Sequence, residues 1–260
     1  MIRWRPAVAA LALIAGLASG QSYGDTAQAQ DRDDARPASA PGPGAARNSY
    51  ANPSAVIATE IAFAQLAQEK GQWTAFAAYA AVDGVMFAPG MVYAQAWLKG
   101  RANPASAVRW QTHEVWSSCD GSLMVSHGAW QGGKANGYFT TRWQRQKDGK
   151  YKWILDHGDA LAQPQAAPDM LAGHVADCPE RPRQPPGDRK DKPGKPPKEP
   201  KKKLADLPAL DPLHRAGRSE DGSLVWDMTV TADGARKLTV NWTKDGQTQP
   251  AWVDRVPGAQ

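Results

Sequence analysis

The chain has 260 residues, enough for a sizeable hydrophobic core, and a formal net charge of +5. Ten Lys or Arg residues lie between positions 181 and 203 against three acids, so the rest of the chain is close to neutral. This distribution excludes a broad basic surface for nucleic acid on the folded part. Two cysteines are too few for a cysteine zinc cluster, and the sequence has no phosphate-binding glycine loop, so no cofactor is predicted.

The first 29 residues have the pattern of a secretory signal peptide. Two arginines precede an apolar run at positions 7–18, and small residues follow it. This run is too short to cross a bilayer, so no stable membrane insertion is predicted. Cleavage after Ala29 fits the rule of small residues better than cleavage after Gly20. We therefore expect a soluble protein that is located in the periplasm or secreted.

A folded domain is predicted to begin after a disordered spacer at residues 30–52, which is rich in Ala, Pro and Gly and has no periodicity. Asn52 can cap a helix whose first position is Pro53. Apolar residues at helical spacing continue to Lys70, and Gly71 ends the pattern. A second, shorter helix follows.

Strand patterns dominate the next part of the chain. Pro89-Gly90 indicates a type II turn between two short strands, and a helical turn is predicted near residues 96–98. Asp120-Gly121 and Asp148-Gly149 indicate hairpin turns between longer strands. The longer strands alternate polar and apolar residues and are predicted at about residues 109–118, 123–131, 137–145 and 151–159. This order predicts an α+β domain at residues 53–162, with a curved antiparallel sheet wrapped around the N-terminal helices.

The remaining chain is predicted to contain a connector and a small β-rich segment. Residues 163–205 are a loose connector that includes a Pro/Lys-rich linker. Residues 206–260 contain two alternating strands around Asp233-Gly234 and a third near Trp252. The segment has too few apolar side chains to be stable alone, so it either docks on the first domain or is poorly ordered.

Cys119 and Cys178 are predicted to form a disulfide, because an even pair of cysteines in an exported chain is more often bridged than free. The bond would hold the segment that follows the sheet against the sheet itself.

Residues in the predicted domain resemble the nuclear transport factor 2-like superfamily, in its SnoaL-like, uncharacterised bacterial branch. The resemblance is carried by residues 62–73, 97–100, 138–141 and 153–159. It implies a cone-shaped sheet closed by helices, a pocket between the two, and homodimers formed through the outer sheet face. Ketosteroid isomerases and polyketide cyclases of this superfamily use an acid in the pocket, whereas many other members only bind or hold partners.

Glu60 is the most informative polar residue, because it lies within the apolar arc of the first helix. A buried carboxylate needs a partner or a raised pKa. Two interpretations are open: an acid in the pocket, or a structural ion pair with a sheet residue such as Arg142. Asp83 is a further candidate acid.

Two-residue hairpin turns would set the pairing of the remaining polar candidates. Glu114 would lie opposite His127, as a general-base unit or as an ordinary cross-strand pair. His157 and Asp159 would share a face near Arg142 at the mouth of the pocket. A metal site from His127, His157 and Asp159 is not predicted, because the histidines would be two strands apart, roughly 10 Å at the backbone.

Three classes of function stay open on these patterns. A module that binds a small apolar ligand in a cone pocket is the leading hypothesis. An isomerase, cyclase or lyase with Glu60, Asp83 or His157 as the acid or base is the second. A structural or assembly module is the third. The predicted pocket residues are Glu60, Trp97, Glu114, His127, Tyr138, Arg142, His157 and Asp159.

Overall fold

The structure is a computed structural model that describes residues 51–178 and 203–258. The predicted signal peptide and nearly all of the predicted spacer and Pro/Lys-rich linker lie outside these ranges. Within them, no helix combines the length and the apolar character needed to cross a membrane. The described residues belong to one compact unit.

The helices begin and end where the sequence signals place them. The Asn52 side chain accepts a hydrogen bond from the Ser54 N–H at 3.2 Å, and Gly71, with φ of +100°, separates the first two helices. Glycine adopts this backbone conformation more readily than other residues. The described helices are α1 (Pro53–Lys70), α2 (Gln72–Tyr79) and α3 (Ala94–Leu98), together with a short 3₁₀ turn at Leu204–Asp206.

The larger sheet has seven strands in the order β2-β1-β6-β5-β4-β3-β7. All neighbouring pairs are antiparallel except β1 with β6 and β3 with β7, which are parallel. The predicted α+β class is therefore confirmed, and the sheet that was predicted to be antiparallel is mostly so. Its strands are β1 (Ala80–Phe87), β2 (Met91–Tyr93), β3 (Arg109–Ser117), β4 (Leu123–Gly132), β5 (Ala135–Arg145), β6 (Tyr151–Ala160) and β7 (Ala172–Val175).

Two local predictions in this sheet are wrong. Gly90 lacks the positive φ that a type II turn requires at its third position, and the Ala88–Pro89 peptide bond is cis. The connector after residue 162 is not loose throughout, because β7 pairs with the edge strand β3. The ring of His174 stacks on that of Trp116 at 5.5 Å, which holds β7 in place.

The predicted registers of the long strands are confirmed. Glu114 lies opposite His127, and His157 lies opposite Thr140. The turn between β5 and β6 is nevertheless longer than two residues, since the Gln146 N–H donates to the carbonyl of Lys150. A bulge further along the pair, between Arg142 and Trp143, offsets this extra residue, so the register beyond it is the predicted one.

The two faces of the larger sheet have different partners. On the helix face, Val56 and Phe63 of α1 pack with Met124, Trp143 and Trp153 of the strands. On the opposite face, apolar side chains of β1, β3, β4 and β6 pack against residues from the C-terminal part of the chain. Side chains alternate between these faces along each strand.

The C-terminal segment forms a second, four-stranded antiparallel sheet in the order β11-β10-β9-β8. Of the two alternatives left open by the sequence, docking is the one observed, because Leu224, Met228 and Leu238 are buried in the same cluster as Val125 and Leu155 of the larger sheet. The homodimer through this face stays a prediction, but the C-terminal sheet of the same chain covers it. Its strands are β8 (His214–Arg218), β9 (Leu224–Val230), β10 (Arg236–Lys244) and β11 (Gln247–Val256).

Two hairpin loops with the same sequence pattern, Ser-x-Asp-Gly-Ser-Leu, join the sheets at residues 118–123 and 219–224. Each aspartate side chain accepts the backbone N–H of the other, at 2.9 Å for the Asp120 N–H and 3.1 Å for the Asp221 N–H. The Cys119 N–H donates to Ser223 Oγ at 2.9 Å, and the Glu220 N–H donates to Ser122 Oγ at 2.8 Å. This reciprocity gives the loop pair a local pseudo-two-fold symmetry.

The predicted disulfide between Cys119 and Cys178 is present. It connects the loop after β3 to the segment after β7. The same segment is fixed to the C-terminal sheet, because Asp177 Oδ1 accepts a hydrogen bond from Lys244 Nζ at 2.8 Å. One covalent bond therefore fixes the point where the two sheets and the connector meet.

Candidate functional site

A cavity of about 270 Å³ lies between the helices and the helix face of the larger sheet. Most of its wall is aromatic or aliphatic. Three acidic residues also line it, Glu60 of α1 and Asp156 and Asp159 of β6, and the carboxyl groups of Glu60 and Asp156 are the two with raised pKa values. The apolar wall is formed by Phe63, Phe76, Val108, Trp110, Trp130 and Phe139.

The first carboxyl group belongs to Glu60, which is only 2% exposed. Its Oε2 accepts a hydrogen bond from Trp110 Nε1 at 3.1 Å, and its Oε1 accepts from Trp143 Nε1 at 3.0 Å and from Ser126 Oγ at 2.5 Å. Burial raises the pKa of Glu60 to about 7, against the effect of these three donors. The carboxyl group is therefore poised to exchange a proton near neutral pH.

Glu60 does not pair with Arg142. Trp143 points to the helix face, so its chain neighbour Arg142 points to the opposite face. There the guanidinium lies 4.8 Å from the centre of the Trp226 ring, and the side chain is fully buried. The ion pair considered from the sequence is thus excluded by the alternation of the strand.

The second carboxyl group belongs to Asp156, which sequence reasoning did not select. Thr141 Oγ1 donates a hydrogen bond to Asp156 Oδ2 at 2.6 Å. Burial raises the pKa of Asp156 to about 6, although Thr141 and Arg142 lower it, and the charge of Asp156 in turn raises the pKa of Glu60. The register that places His157 opposite Thr140 also places Asp156 opposite Thr141. The predicted strand pairing was therefore enough to select Asp156 as a candidate.

Four of the predicted pocket residues line this cavity: Glu60, Tyr138, His157 and Asp159. Tyr138 and Asp159 lie opposite each other on β5 and β6, as the register required. Burial raises the pKa of Tyr138 to about 12, with Asp254 and Asp159 adding to the effect. The tyrosine therefore stays protonated at physiological pH, and its hydroxyl donates to the carbonyl of Arg255 in the C-terminal sheet at 3.4 Å.

Two other candidates lie away from the cavity. Trp97 on α3 contacts Trp73, with ring centres 5.2 Å apart, and the guanidinium carbon of Arg101 lies 3.6 Å from the centre of the Trp97 ring. Asp83 on β1 lines a different cavity, where its backbone carbonyl accepts a hydrogen bond from Arg215 at 2.9 Å.

The structure does not bring Glu114 and His127 into contact, although they are opposite in register. Glu114 lies 3.4 Å from His174 of β7 instead. His127 Nδ1 lies 3.1 Å from Thr140 Oγ1, and its ring packs on Trp252 at 4.1 Å. Burial lowers the pKa of His127 to about 4, so this imidazole is neutral at physiological pH.

His127, His157 and Arg142 all lie between the two sheets, around Asp254 of β11. Asp254 accepts hydrogen bonds from Thr140 Oγ1 at 2.5 Å and from Trp252 Nε1 at 2.7 Å, and His157 Nε2 lies 3.2 Å away. Burial opposes ionisation, yet the contacts with His157 and Thr140 hold the pKa of Asp254 below its ordinary value. Within residues 51–178 and 203–258, no cluster of three or more His, Cys, Asp or Glu is arranged to hold a metal ion.

Comparisons with known proteins give no family assignment. No family model matches the chain, and no curated protein matches it. Among solved structures, it is similar to a candidate ketosteroid isomerase from Parabacteroides distasonis, with a TM-score of 0.35, 14% identity, and coverage of 45% of this chain and 98% of that one. It is also similar to a DUF3225 protein of unknown function from Pectobacterium atrosepticum, with a TM-score of 0.34, 12% identity, and coverage of 42% and 91%. Both neighbours are nuclear transport factor 2-like folds, but at such TM-scores the likeness carries no argument about this chain.

Proposed function

We propose that this protein binds a small, mainly apolar molecule in the cavity between its helices and the larger sheet, which we take to be a cone-shaped pocket. The supporting observation is the composition of the wall. Aromatic and aliphatic side chains form most of the wall, and Glu60 and Asp156 supply two carboxyl groups with raised pKa values. Apolar pockets with a few polar groups that orient the ligand are typical of small-molecule sites.

The polar groups of the wall define what such a ligand should contain. Asp156 can donate a hydrogen bond to a ligand carbonyl when it is protonated and accept one from a hydroxyl when it is ionised. The Tyr138 hydroxyl donates to the carbonyl of Arg255 at 3.4 Å, so it is not counted among the groups offered to a ligand. Glu60 already accepts three hydrogen bonds from the protein. Its carboxyl group therefore mainly holds the side chains of the wall in place. A flat or compact apolar molecule with one oxygen substituent fits this arrangement.

A fluorescence titration with N-phenylnaphthylamine, a neutral apolar probe, tests this proposal. The wild type should bind the probe, and Val108→Trp should weaken binding by about tenfold or more because the larger side chain occupies the cavity. Ile61→Trp is the matched control, since Ile61 is 52% exposed on α1 and should leave binding unchanged. Equal binding by both variants would place the probe elsewhere and contradict the proposal.

Acid/base chemistry of the ketosteroid isomerase or polyketide cyclase type is the second candidate. The observation that favours it is Asp156, which lines the cavity and has a pKa of about 6, close to the working range of a general base. The wild type should then accelerate deuterium exchange at the α-carbon of cyclohexenone in heavy water, followed by mass spectrometry. Asp156→Asn should lower that rate by about a hundredfold or more. A rate equal to that of buffer would exclude this chemistry for that substrate class and leave the binding role.

We also propose that the protein is exported. The pattern of the first 29 residues supports this, and so does the disulfide, because structural disulfides persist in oxidising compartments.

A further inference from the structure

A second cavity of about 310 Å³ lies beside the first. The two cavities share part of their walls, including Phe76, Asp156 and Gly158. One cation in its wall, Arg236, comes from the C-terminal sheet, and the other polar residues of the wall are Gln72, Asp156 and His157. Its own apolar wall consists of Trp73, Met86, Phe87 and Pro89.

Arg236 enters this cavity from β10 with part of its hydrogen-bonding capacity unused. Its Nη2 donates to the carbonyl of Gly158 at 3.1 Å, and its guanidinium lies 4.4 Å from the centre of the Phe87 ring. Its buried Nε has no hydrogen-bond partner among the described residues. A guanidinium offers five N–H donors in a fixed plane that matches a carboxylate or sulfonate.

Nearby acids do not neutralise this cation through a direct contact. Asp159 acts on Arg236 electrostatically, but its Oδ1 accepts the N–H of Ala160 at 2.9 Å. Asp156, in the shared wall, is hydrogen-bonded by Thr141. Arg236 is thus a half-buried cation that is held at the cavity by one backbone hydrogen bond and one aromatic ring.

We propose that Arg236 makes the second cavity a subsite for the anionic group of the ligand. The ligand would be an organic anion with an aromatic or aliphatic body: its body packs on Trp73, Phe76 and Phe87, and its carboxylate or sulfonate pairs with Arg236. This inference rests on the proposed binding function and makes it more specific. It also gives the C-terminal sheet a role in recognition, because without β10 the cavity has no cation from that side.

Two probes that differ by one anionic group test the subsite. Anilinonaphthalene sulfonate carries a sulfonate on the scaffold of neutral N-phenylnaphthylamine, so the ratio of their affinities isolates the contribution of the charge. Arg236→Gln should weaken binding of the sulfonate by about tenfold and leave the neutral probe within about twofold. Lys237→Gln removes the same charge from an exposed neighbour on β10 and should change neither affinity.

The outcomes are distinguishable. An unchanged affinity ratio in Arg236→Gln, with the neutral probe still bound, overturns the subsite alone. If the wild type binds neither probe, the binding function itself fails. If circular dichroism shows that Arg236→Gln does not fold, Arg236→Lys decides: it keeps the charge but loses the planar fork, so it should weaken only the sulfonate, and equal weakening of both probes overturns the proposal.

Discussion

Removal of the Cys119–Cys178 disulfide should lower the free energy of unfolding by about 4 kcal/mol. The two cysteines are 59 residues apart, and opening a loop of this length restores that much chain entropy to the unfolded state. The expected loss is large because the bond also fixes the junction of the two sheets. Urea unfolding of the wild type and of the Cys119→Ser/Cys178→Ser double variant measures it.

Two controls accompany this experiment. Reductant should lower the unfolding midpoint of the wild type and leave that of the double variant unchanged. Equal midpoints for the oxidised wild type and the double variant would contradict the prediction. Protein recovered from the periplasm tests export at the same time, since it should contain no free thiol and begin near residue 30.

A rise in pH from about 4.5 to above 7 should destabilise the wild type relative to Glu60→Gln by about 3 kcal/mol. The unfolded glutamate loses its proton near pH 4.5, whereas the folded one keeps it until about pH 7. Between these values the folded state binds more protons than the unfolded state, so stability falls as pH rises. Below pH 4.5 the carboxyl group is neutral in both states and the penalty is absent.

Urea unfolding at a series of pH values gives this difference directly. Asp156 titrates in an overlapping range with the same sign, from 3.8 unfolded to about 6 folded. Because both proteins in the comparison retain Asp156, the difference between them reports the titration of Glu60 together with its electrostatic coupling to Asp156. Asp156→Asn is the matched second variant. It should remove the fall in stability that the wild type shows between about pH 3.8 and pH 6. Parallel stability curves for the wild type and Glu60→Gln would show that Glu60 keeps its ordinary pKa.

Much of the fold could be predicted because its signals are local. The Asn52 cap, the Gly71 stop and the hairpin turns all act within a few residues of the elements they delimit, and the alternation of the strands fixes their pairing. The parallel pairing of β7 with β3 could not be predicted, since it depends on chain segments more than fifty residues apart in sequence. The short strand β8 carries no apolar alternation that would reveal it.

The candidate site was predicted only in part for a related reason. Alternation shows that Arg142, His127 and His157 share a face, but it does not show which face meets the helices. In the structure this face meets the C-terminal sheet, where the three side chains lie around Asp254, about a hundred residues further along the chain. Glu60 was identified correctly as a buried acid because a helix reveals its apolar arc without reference to any partner.

The paired Ser-x-Asp-Gly-Ser-Leu loops make each sheet the binding partner of the other within a single polypeptide. Their mutual hydrogen bonds form at an effective concentration set by the covalent chain, not by the number of molecules in solution. Dilution that would separate two subunits therefore leaves this contact intact. Arg236 therefore stays at its cavity even at low protein concentration.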